Sequence, residues 1–285
     1  MAPLVWLVTG CSSGFGEELI NLIIARGDHA IATSRNVDRL EPQRFAGASV
    51  FELDVTAPQE EIDAKVLGAL EIHGRIDVVV NNAGYIDVGT LEETSIEKYT
   101  AQFDTNVFGC IRVTQAVLPH FRQRRTGIFV FMGSMAGWTG DPFDSAYAAS
   151  KFALEGIVES FQKEVAHLGI KCLLVEPGYF RTKLLERPQV AKASSEIDDY
   201  AVIVEPTHEH LVRASGRQPG DPRRGAEIII DAVKRQGVCA SREMPFRLPL
   251  GSDVLKTIRE KCVDTLKLLD DWEDIGRLAD FPEGT

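Results

Sequence analysis

Tyr147 and Lys151 stand four apart in Tyr147-Ala148-Ala149-Ser150-Lys151, inside a stretch with helical spacing. Residues at that separation share a helix face, so a phenol and an ammonium can serve one site. Two unit charges about 4 Å apart interact by about 4 kcal/mol at an effective dielectric of 20. That is enough to bring a phenol from about 10 towards neutrality, where it can exchange a proton with a substrate. Burial disfavours the phenolate, which makes the figure an upper bound. Upstream, Ser134 follows the apolar run Ile128–Phe131, and Asn106 lies mid-helix, where asparagine is a poor helix former. Asn81-Asn82-Ala83-Gly84 follows another apolar run at the same sheet edge. Singly, these read as a loop cap, a helix polar contact and a turn. Jointly, they read as a site.

A second chemistry-bearing segment is Thr9-Gly10-Cys11-Ser12-Ser13-Gly14-Phe15-Gly16. It lies between an apolar run and an amphipathic helix, where glycines permit a tight turn and let a pyrophosphate approach N–H groups at the helix start. The GxxxGxG spacing departs from GxGxxG but holds the same structural position. NAD selection needs a carboxylate about 20 residues further on, at the end of the second strand. Here that place holds Thr33-Ser34-Arg35-Asn36, with no carboxylate before Asp38. A guanidinium grips phosphate as a planar fork, so Arg35 favours NADP(H). The competing reading is an ordinary surface arginine.

Alternating elements must position these groups. Leu4–Val8, His29–Thr33, Ser49–Leu53, Ile76–Val80, Ile128–Phe131 and Ile170–Val175 are apolar runs of strand length. Helical patterns fill Phe15–Arg26, 58–73, 95–124 and 146–168, with Thr94 and Glu97 at capping-box spacing. Such alternation predicts a parallel sheet covered on both faces. Beyond Val175 the pattern weakens, with two possible short helices before Asp221-Pro222 opens a helix to about Arg235. A last amphipathic helix covers 252–272. We read residues 1–285 as one domain: core 1–182, a variable substrate lid 183–220, and C-terminal helices 221–285.

The 285 residues are 44% hydrophobic and 26% charged, enough for one sizeable core. Forty-two acidic against 31 basic residues leave a formal charge of −11, which disfavours nucleic acid as a partner. No apolar run approaches the ~18 residues of a membrane span, and Leu4–Val8 is too short for a signal peptide. The five cysteines are scattered, with no CxxC pair, which argues for reduced thiols and a cytoplasmic setting. His208 and His210 form an HxH pair without a Cys or acidic cluster to complete a metal site, so no metal is expected.

TGCSSGFG, NNAG, Asn106, Ser134, YAASK and Pro177-Gly178 together resemble the short-chain dehydrogenase/reductase family, in the family's order, over residues 4–182. EPGYFRT (176–182), GDP (220–222) and RLPLGSD (247–253) resemble a subgroup similar to 17β-hydroxysteroid and retinol dehydrogenases. The resemblance implies a doubly wound, Rossmann-type α/β sheet of about seven strands. It implies hydride transfer between a nicotinamide and a carbonyl or alcohol. Tyr147 would be the general acid/base. Lys151 would lower its pKa and bind the nicotinamide ribose. Ser134 would bond the substrate oxygen, and Asn106 would maintain a water-linked proton relay.

For the cofactor, the resemblance implies contacts from Gly10, Ser12, Ser13, Gly14, Phe15 and Gly16, and from Ser34 and Arg35. Asp54 and Val55 would meet the adenine, Asn82, Ala83 and Gly84 would line the cofactor, and Pro177, Gly178, Phe180 and Thr182 would bracket the nicotinamide end. Ser13 departs from the basic residue often found there in NADP-preferring members. The expected substrate is a small lipophilic ketone or secondary alcohol, steroid-, retinoid- or polyketide-like, held by Met135, Trp138, Phe143, Tyr179, Leu184 and Leu185. The alternative function is a redox-inactive sensor or scaffold of the same fold; the intact Asn106, Ser134, Tyr147 and Lys151 favour the enzyme. The family is often oligomeric, so a homo-oligomer stays open.

Overall fold

The apolar runs become strands because each is short and closed by a turn, and most are rich in β-branched residues. In the computed structural model, which describes residues 2–186, 190 and 195–281, they are Val5–Val8 (β1), His29–Ser34 (β2), Ser49–Glu52 (β3), Val78–Asn81 (β4), Gly127–Met132 (β5) and Ile170–Pro177 (β6). With Arg247–Leu250 (β7) they form one parallel sheet in the order β3-β2-β1-β4-β5-β6-β7. β1 and β4 are buried along their whole length. The strand order reverses between them, which opens a crevice at the carboxyl ends of the strands.

The helices are Gly14–Ala25 (α1), Glu41–Phe45 (α2), Gln59–His73 (α3), Ile96–Phe103 (α4), Gly109–Arg124 (α5), Ser145–Val165 (α6), Ala201–Ala214 (α7), Pro222–Lys234 (α8) and Ser252–Gly276 (α9). On one face, Leu19 and Ile23 of α1 and Ile229 and Ile230 of α8 pack against Trp6 and Val8. On the other, Ile62 of α3, Val117 and Phe121 of α5 and Leu154 of α6 pack against Leu7, Val79 and Phe129. Every side chain expected to do chemistry leaves the carboxyl edge of a strand or the helix that follows one.

Several expectations change in detail. The stretch 95–124 is not one α-helix: a π-helical turn, Asp104–Phe108, joins α4 to α5. Such turns insert a residue into the ladder and gather at functional sites; Asn106 sits in this one. The capping box of Thr94 with Glu97 does not form. Ser95 is the cap, its hydroxyl accepting from the Lys98 N–H at 3.4 Å, while the Thr94 hydroxyl donates to the Thr90 carbonyl at 2.7 Å. The Asp221 cap does form, with Oδ1 accepting from the N–H groups of Arg223 and Arg224 at 2.9 and 3.3 Å. No apolar run announced β7, because Arg247 and Pro249 interrupt it; a proline is tolerated there since β7 is an edge strand. Of the two short helices expected in 177–220, α7 is one, and residues 187–189 and 191–194 of the expected lid lie outside the described residues.

Candidate active site

The glycine turn is shaped by close approach. Gly10 has φ +71°, and a Cβ there would lie 2.8 Å from the Ala83 Cα; a Cβ on Gly16 would lie 2.5 Å from the Gly10 carbonyl. The turn is braced from β4. Asn82 Nδ2 donates to the carbonyls of Thr9 (2.8 Å) and Gly10 (3.1 Å), and Thr9 Oγ1 accepts from the N–H groups of Asn82 (2.9 Å) and Ala83 (3.0 Å). Ser13 caps α1 in extended conformation but makes no side-chain cap bond. The first-turn N–H groups of this 12-residue helix are thus left available to an anion.

Phe15 packs on Phe180 with centroids 4.9 Å apart, and a Cβ on Gly14 would lie 3.3 Å from the Thr182 side chain. Those contacts join the turn to the Pro177-Gly178 segment. A dinucleotide fits this cradle, which a Cβ at any of the three glycines would obstruct or strain. Cys11, within the turn, is inert: its Sγ donates to the Val8 carbonyl and burial pushes the thiol up to about 12.

Next along the edge, Ser34 ends β2 and its hydroxyl accepts from the Asn36 N–H at 3.3 Å, while Arg35 is exposed. Asp54 Oδ1 accepts from the Thr56 N–H (2.9 Å) and hydroxyl (2.8 Å), and buried Val55 receives Arg112 on its carbonyl at 3.3 Å. Gly84 faces Asn106, since a Cβ there would come within 3.2 Å of its Oδ1.

Asn106, Ser134, Tyr147 and Lys151 come together. Asn106 is buried, and its amide is fully engaged by the protein. Oδ1 accepts from the Tyr85 N–H (3.1 Å), and Nδ2 donates to the Tyr85 carbonyl (3.0 Å) and to Ser150 Oγ (3.1 Å). Ser150 in turn donates to the Tyr147 carbonyl at 2.7 Å. Asn106 therefore ties the π turn to α6. Ser134 Oγ accepts from the Ala136 N–H at 3.1 Å and lies within hydrogen-bonding reach of the Tyr147 phenol. Lys151 shares the face of Tyr147, its Nζ 5.6 Å from the ring centroid, and donates to the Met132 carbonyl at 2.7 Å.

Burial decides the phenol's acidity. It pushes Tyr147 up to about 12, Ser134 pulling down and the Asp144 charge pushing further up. The expected depression by Lys151 does not appear. Burial lowers the lysine's own pKa, and its amine is turned to Met132. Tyr147 is therefore a protonated phenol at neutral pH.

A cavity of about 470 Å³ opens over Ser134 and Tyr147. Met135, Phe143, Tyr179, Leu184 and Leu185 line it as expected. Trp138 does not: it faces a separate cleft beneath α9, where the Arg247 guanidinium lies 5.2 Å from its ring. Phe143 holds φ +77°, a strained conformation for a non-glycine residue, in the cavity wall.

Among the polar lining residues that the sequence reading did not place here are Gln218, His210 and Asp144. Gln218 is 2% exposed, and neither polar atom of its amide has a partner. His210, from α7, sets its ring 6.4 Å from Tyr179, edge-on. Asp144 reads locally as a helix cap, yet its Oδ1 accepts from the Asp141 N–H at 3.1 Å instead. Among the described residues no group of three or more His, Cys, Asp or Glu is placed to hold a metal. No helix among them is long and apolar enough to cross a membrane.

Asp144 yields a pH signature. Burial, then the neighbouring Asp141 charge, raises its carboxyl from 3.8 to about 7. A carboxyl raised in this way is neutral below pH 7 and charged above it, so ionisation places a charge beside an apolar cavity. We expect KM for an apolar substrate to climb severalfold between pH 6 and 8. In Asp144→Asn it should stay level, and a KM that still climbs equally in that variant would remove Asp144 from the explanation.

Comparison with known proteins agrees with this geometry. The short chain dehydrogenase family model matches residues 4–192. Oxidoreductase BOA17 of Botryotinia fuckeliana is 33% identical over 276 residues, covering 95% of this chain and 97% of the relative. Human retinol dehydrogenase 8 is 38% identical over 247 residues, covering 82% of this chain and 79% of its own. The crystal structure of a short-chain dehydrogenase from Streptomyces avermitilis superposes with a TM-score of 0.86 at 39% identity, covering 98% of this chain and 100% of that one. Glycine turn, seven-stranded parallel sheet and Ser–Tyr–Lys cluster thus coincide with matches along almost the whole length, and the chain belongs to the short-chain dehydrogenase/reductase family.

Proposed function

We propose that the protein is an NADP(H)-dependent oxidoreductase that reduces a lipophilic ketone, or oxidises the matching secondary alcohol. The observation that carries this reading is a protonated Tyr147 beside Ser134 on the floor of a largely apolar cavity, adjoining the glycine cradle. A nicotinamide, when bound, supplies or accepts the hydride.

The rest falls to the chain. Ser134 and Tyr147 hydrogen-bond the substrate oxygen and polarise the carbonyl. As the carbonyl carbon gains its hydride, the Tyr147 proton passes to the oxygen, leaving an alcohol and a phenolate. Lys151 stabilises that phenolate and holds the ribose, and a water-linked relay maintained by Asn106 returns the proton. The glycine turn holds the pyrophosphate, Asp54 and Val55 the adenine, and Asn82–Gly84 with Pro177, Gly178, Phe180 and Thr182 the remainder. Oxidation runs the same steps in reverse. Retinol dehydrogenase 8, a relative named for a lipophilic alcohol, supports the lipophilic character of the substrate. Gln218 adds a specific element: its unpartnered amide favours a substrate with a polar group besides the reacting oxygen.

Arg35 tests the cofactor. It is exposed at the end of β2, with no carboxylate paired to it among the described residues. A charge-assisted bond to phosphate is worth roughly 1.5–3 kcal/mol, with exposure favouring the lower end. Arg35→Ala should weaken NADPH binding about tenfold or more and barely affect NADH. Ser34→Asp should shift preference towards NADH by accepting from the 2′-hydroxyl and repelling the 2′-phosphate. The measurement is a pair of dissociation constants on wild type and both variants. Equal losses for the two cofactors in Arg35→Ala would make Arg35 structural and overturn the NADP assignment.

A further inference from the structure

The turn that carries Ser134 rests on a carboxyl group. Gly133 precedes Ser134, and Gly137 closes the 3₁₀ turn Met135–Gly137 that follows it. A Cβ on Gly133 would lie 3.0 Å from Glu155 Oε1, and one on Gly137 would lie 2.9 Å from Glu155 Cγ. The Glu155 side chain therefore occupies the space that both glycines leave open. Glu155 stands on α6, four residues beyond Lys151 and eight beyond Tyr147, so one face of the helix carries all three.

Beneath this turn the buried charges do not balance. Arg247 of β7 pairs with Glu155 and with Glu176 Oε1 of β6 at 2.7 Å. It also reaches Glu159 Oε2 at 3.2 Å, but Glu159 is exposed and has Lys163 as a second partner. Glu155 and Glu176 are 6% and 1% exposed, so two buried carboxyls share one guanidinium. Each also keeps an enclosed oxygen without a partner, Glu155 Oε1 and Glu176 Oε2. Two carboxylates only accept, and neither can satisfy the other. The two carboxyls lie within hydrogen-bonding reach, and one shared proton meets both needs. It cancels a buried charge and makes one carboxyl a donor to the other.

We infer that Glu155 is a positioning residue for Ser134 and Tyr147, holding the catalytic turn against α6 as a protonated carboxyl bonded to Glu176. The charged groups around it are Glu176 on β6, Arg247 on β7, Lys151 and Glu159 on α6, and Lys261 on α9. Burial, then the Glu176 charge, raises the Glu155 carboxyl from 4.5 to about 8, against the downward pull of Arg247. Above that pH the proton leaves, and two carboxylates repel each other under Ser134. The new charge also stands one helical turn from Lys151, where it opposes the phenolate that ketone reduction leaves on Tyr147.

The test has two arms on the full chain, and only the kinetic one rests on the proposed reaction. Turnover in ketone reduction should fall severalfold from pH 7 to pH 9 with KM for NADPH level, unlike the substrate KM effect of Asp144. Glu155→Ala should lose about tenfold or more in turnover at pH 7, since misplacing a catalytic group by 1 Å can cost roughly 10²-fold. Glu155→Gln donates a hydrogen bond to Glu176 without a charge to gain, so it should restore the pH 7 turnover and abolish the alkaline fall. An equal fall in Glu155→Gln, or full turnover in Glu155→Ala, would overturn the positioning role. The second arm reads the proton in denaturant unfolding, with no substrate. A carboxyl raised on folding costs stability as pH climbs from its ordinary range to about 8. The gap in unfolding midpoint between wild type and Glu155→Gln should therefore move in favour of the variant from pH 5 to pH 9. A gap that stays constant means that Glu155 holds no proton, and the proposal falls whether or not the protein reduces ketones.

Discussion

Tyr147→Phe loses about 10²–10⁴-fold in turnover, while NADPH affinity stays within about twofold of wild type. The ring is preserved, so the packing of α6 against the cavity is kept; only the hydroxyl goes, and with it the transferable proton and the Ser134 contact. The acid's environment adds a direction with pH. Burial holds Tyr147 protonated, up to about 12, so ketone reduction has its acid in place throughout pH 6–9. Alcohol oxidation needs the phenolate, whose fraction grows with pH, and should accelerate across the same range. Turnover of Tyr147→Phe within threefold of wild type would remove Tyr147 from the mechanism.

Lys151→Ala should do more damage than a loss of chemistry alone. The phenolate formed at Tyr147 loses its neighbouring positive charge, and the ribose loses its ammonium donor. A third consequence is visible in the fold: Nζ donates to the Met132 carbonyl at 2.7 Å in a buried setting. An unmet buried carbonyl costs about 1–3 kcal/mol, so the variant should also unfold at lower denaturant. Turnover should fall by at least the Tyr147→Phe factor, and NADPH affinity about tenfold, the loss of one charge-assisted contact. Unchanged NADPH affinity in a fluorescence titration would withdraw the ribose role.

What the sequence discloses about this molecule is what its local chemistry determines. The glycine turn declares itself because Gly10 and Gly16 are needed wherever backbone must approach backbone, and Asp221-Pro222 because a cap and an N1 proline act within one turn. Tyr147 and Lys151 share a face by helix geometry alone. Features set by distant contacts stay hidden. The π turn at Asn106 depends on Tyr85 and Ser150, which only the folded chain brings to it.

Trp138 joins the wrong cleft for the same reason, drawn to Arg247 of a strand too polar and too short to show as an apolar run. Asp144 passes for a cap until the fold buries it near Asp141, and Gln218 for a loop residue until the cavity closes around its amide. The acidity of Tyr147 belongs with these. Spacing supplies the lysine, but the burial that outweighs it is a property of the whole site.

Transfer of a labelled hydride tests the proposed reaction most directly. The full-length protein is incubated with NADPH deuterated at either face of C4 and with a panel of lipophilic ketones, and the alcohols are read by mass spectrometry. The proposed site holds the nicotinamide in one orientation above a single substrate oxygen. One C4 label should therefore appear as a single deuterium on the carbinol carbon, the other should not, and Tyr147→Phe should suppress the signal. If NADPH binds but no ketone in the panel acquires deuterium, the protein is not the reductase proposed here, and the redox-inactive sensor or scaffold takes its place.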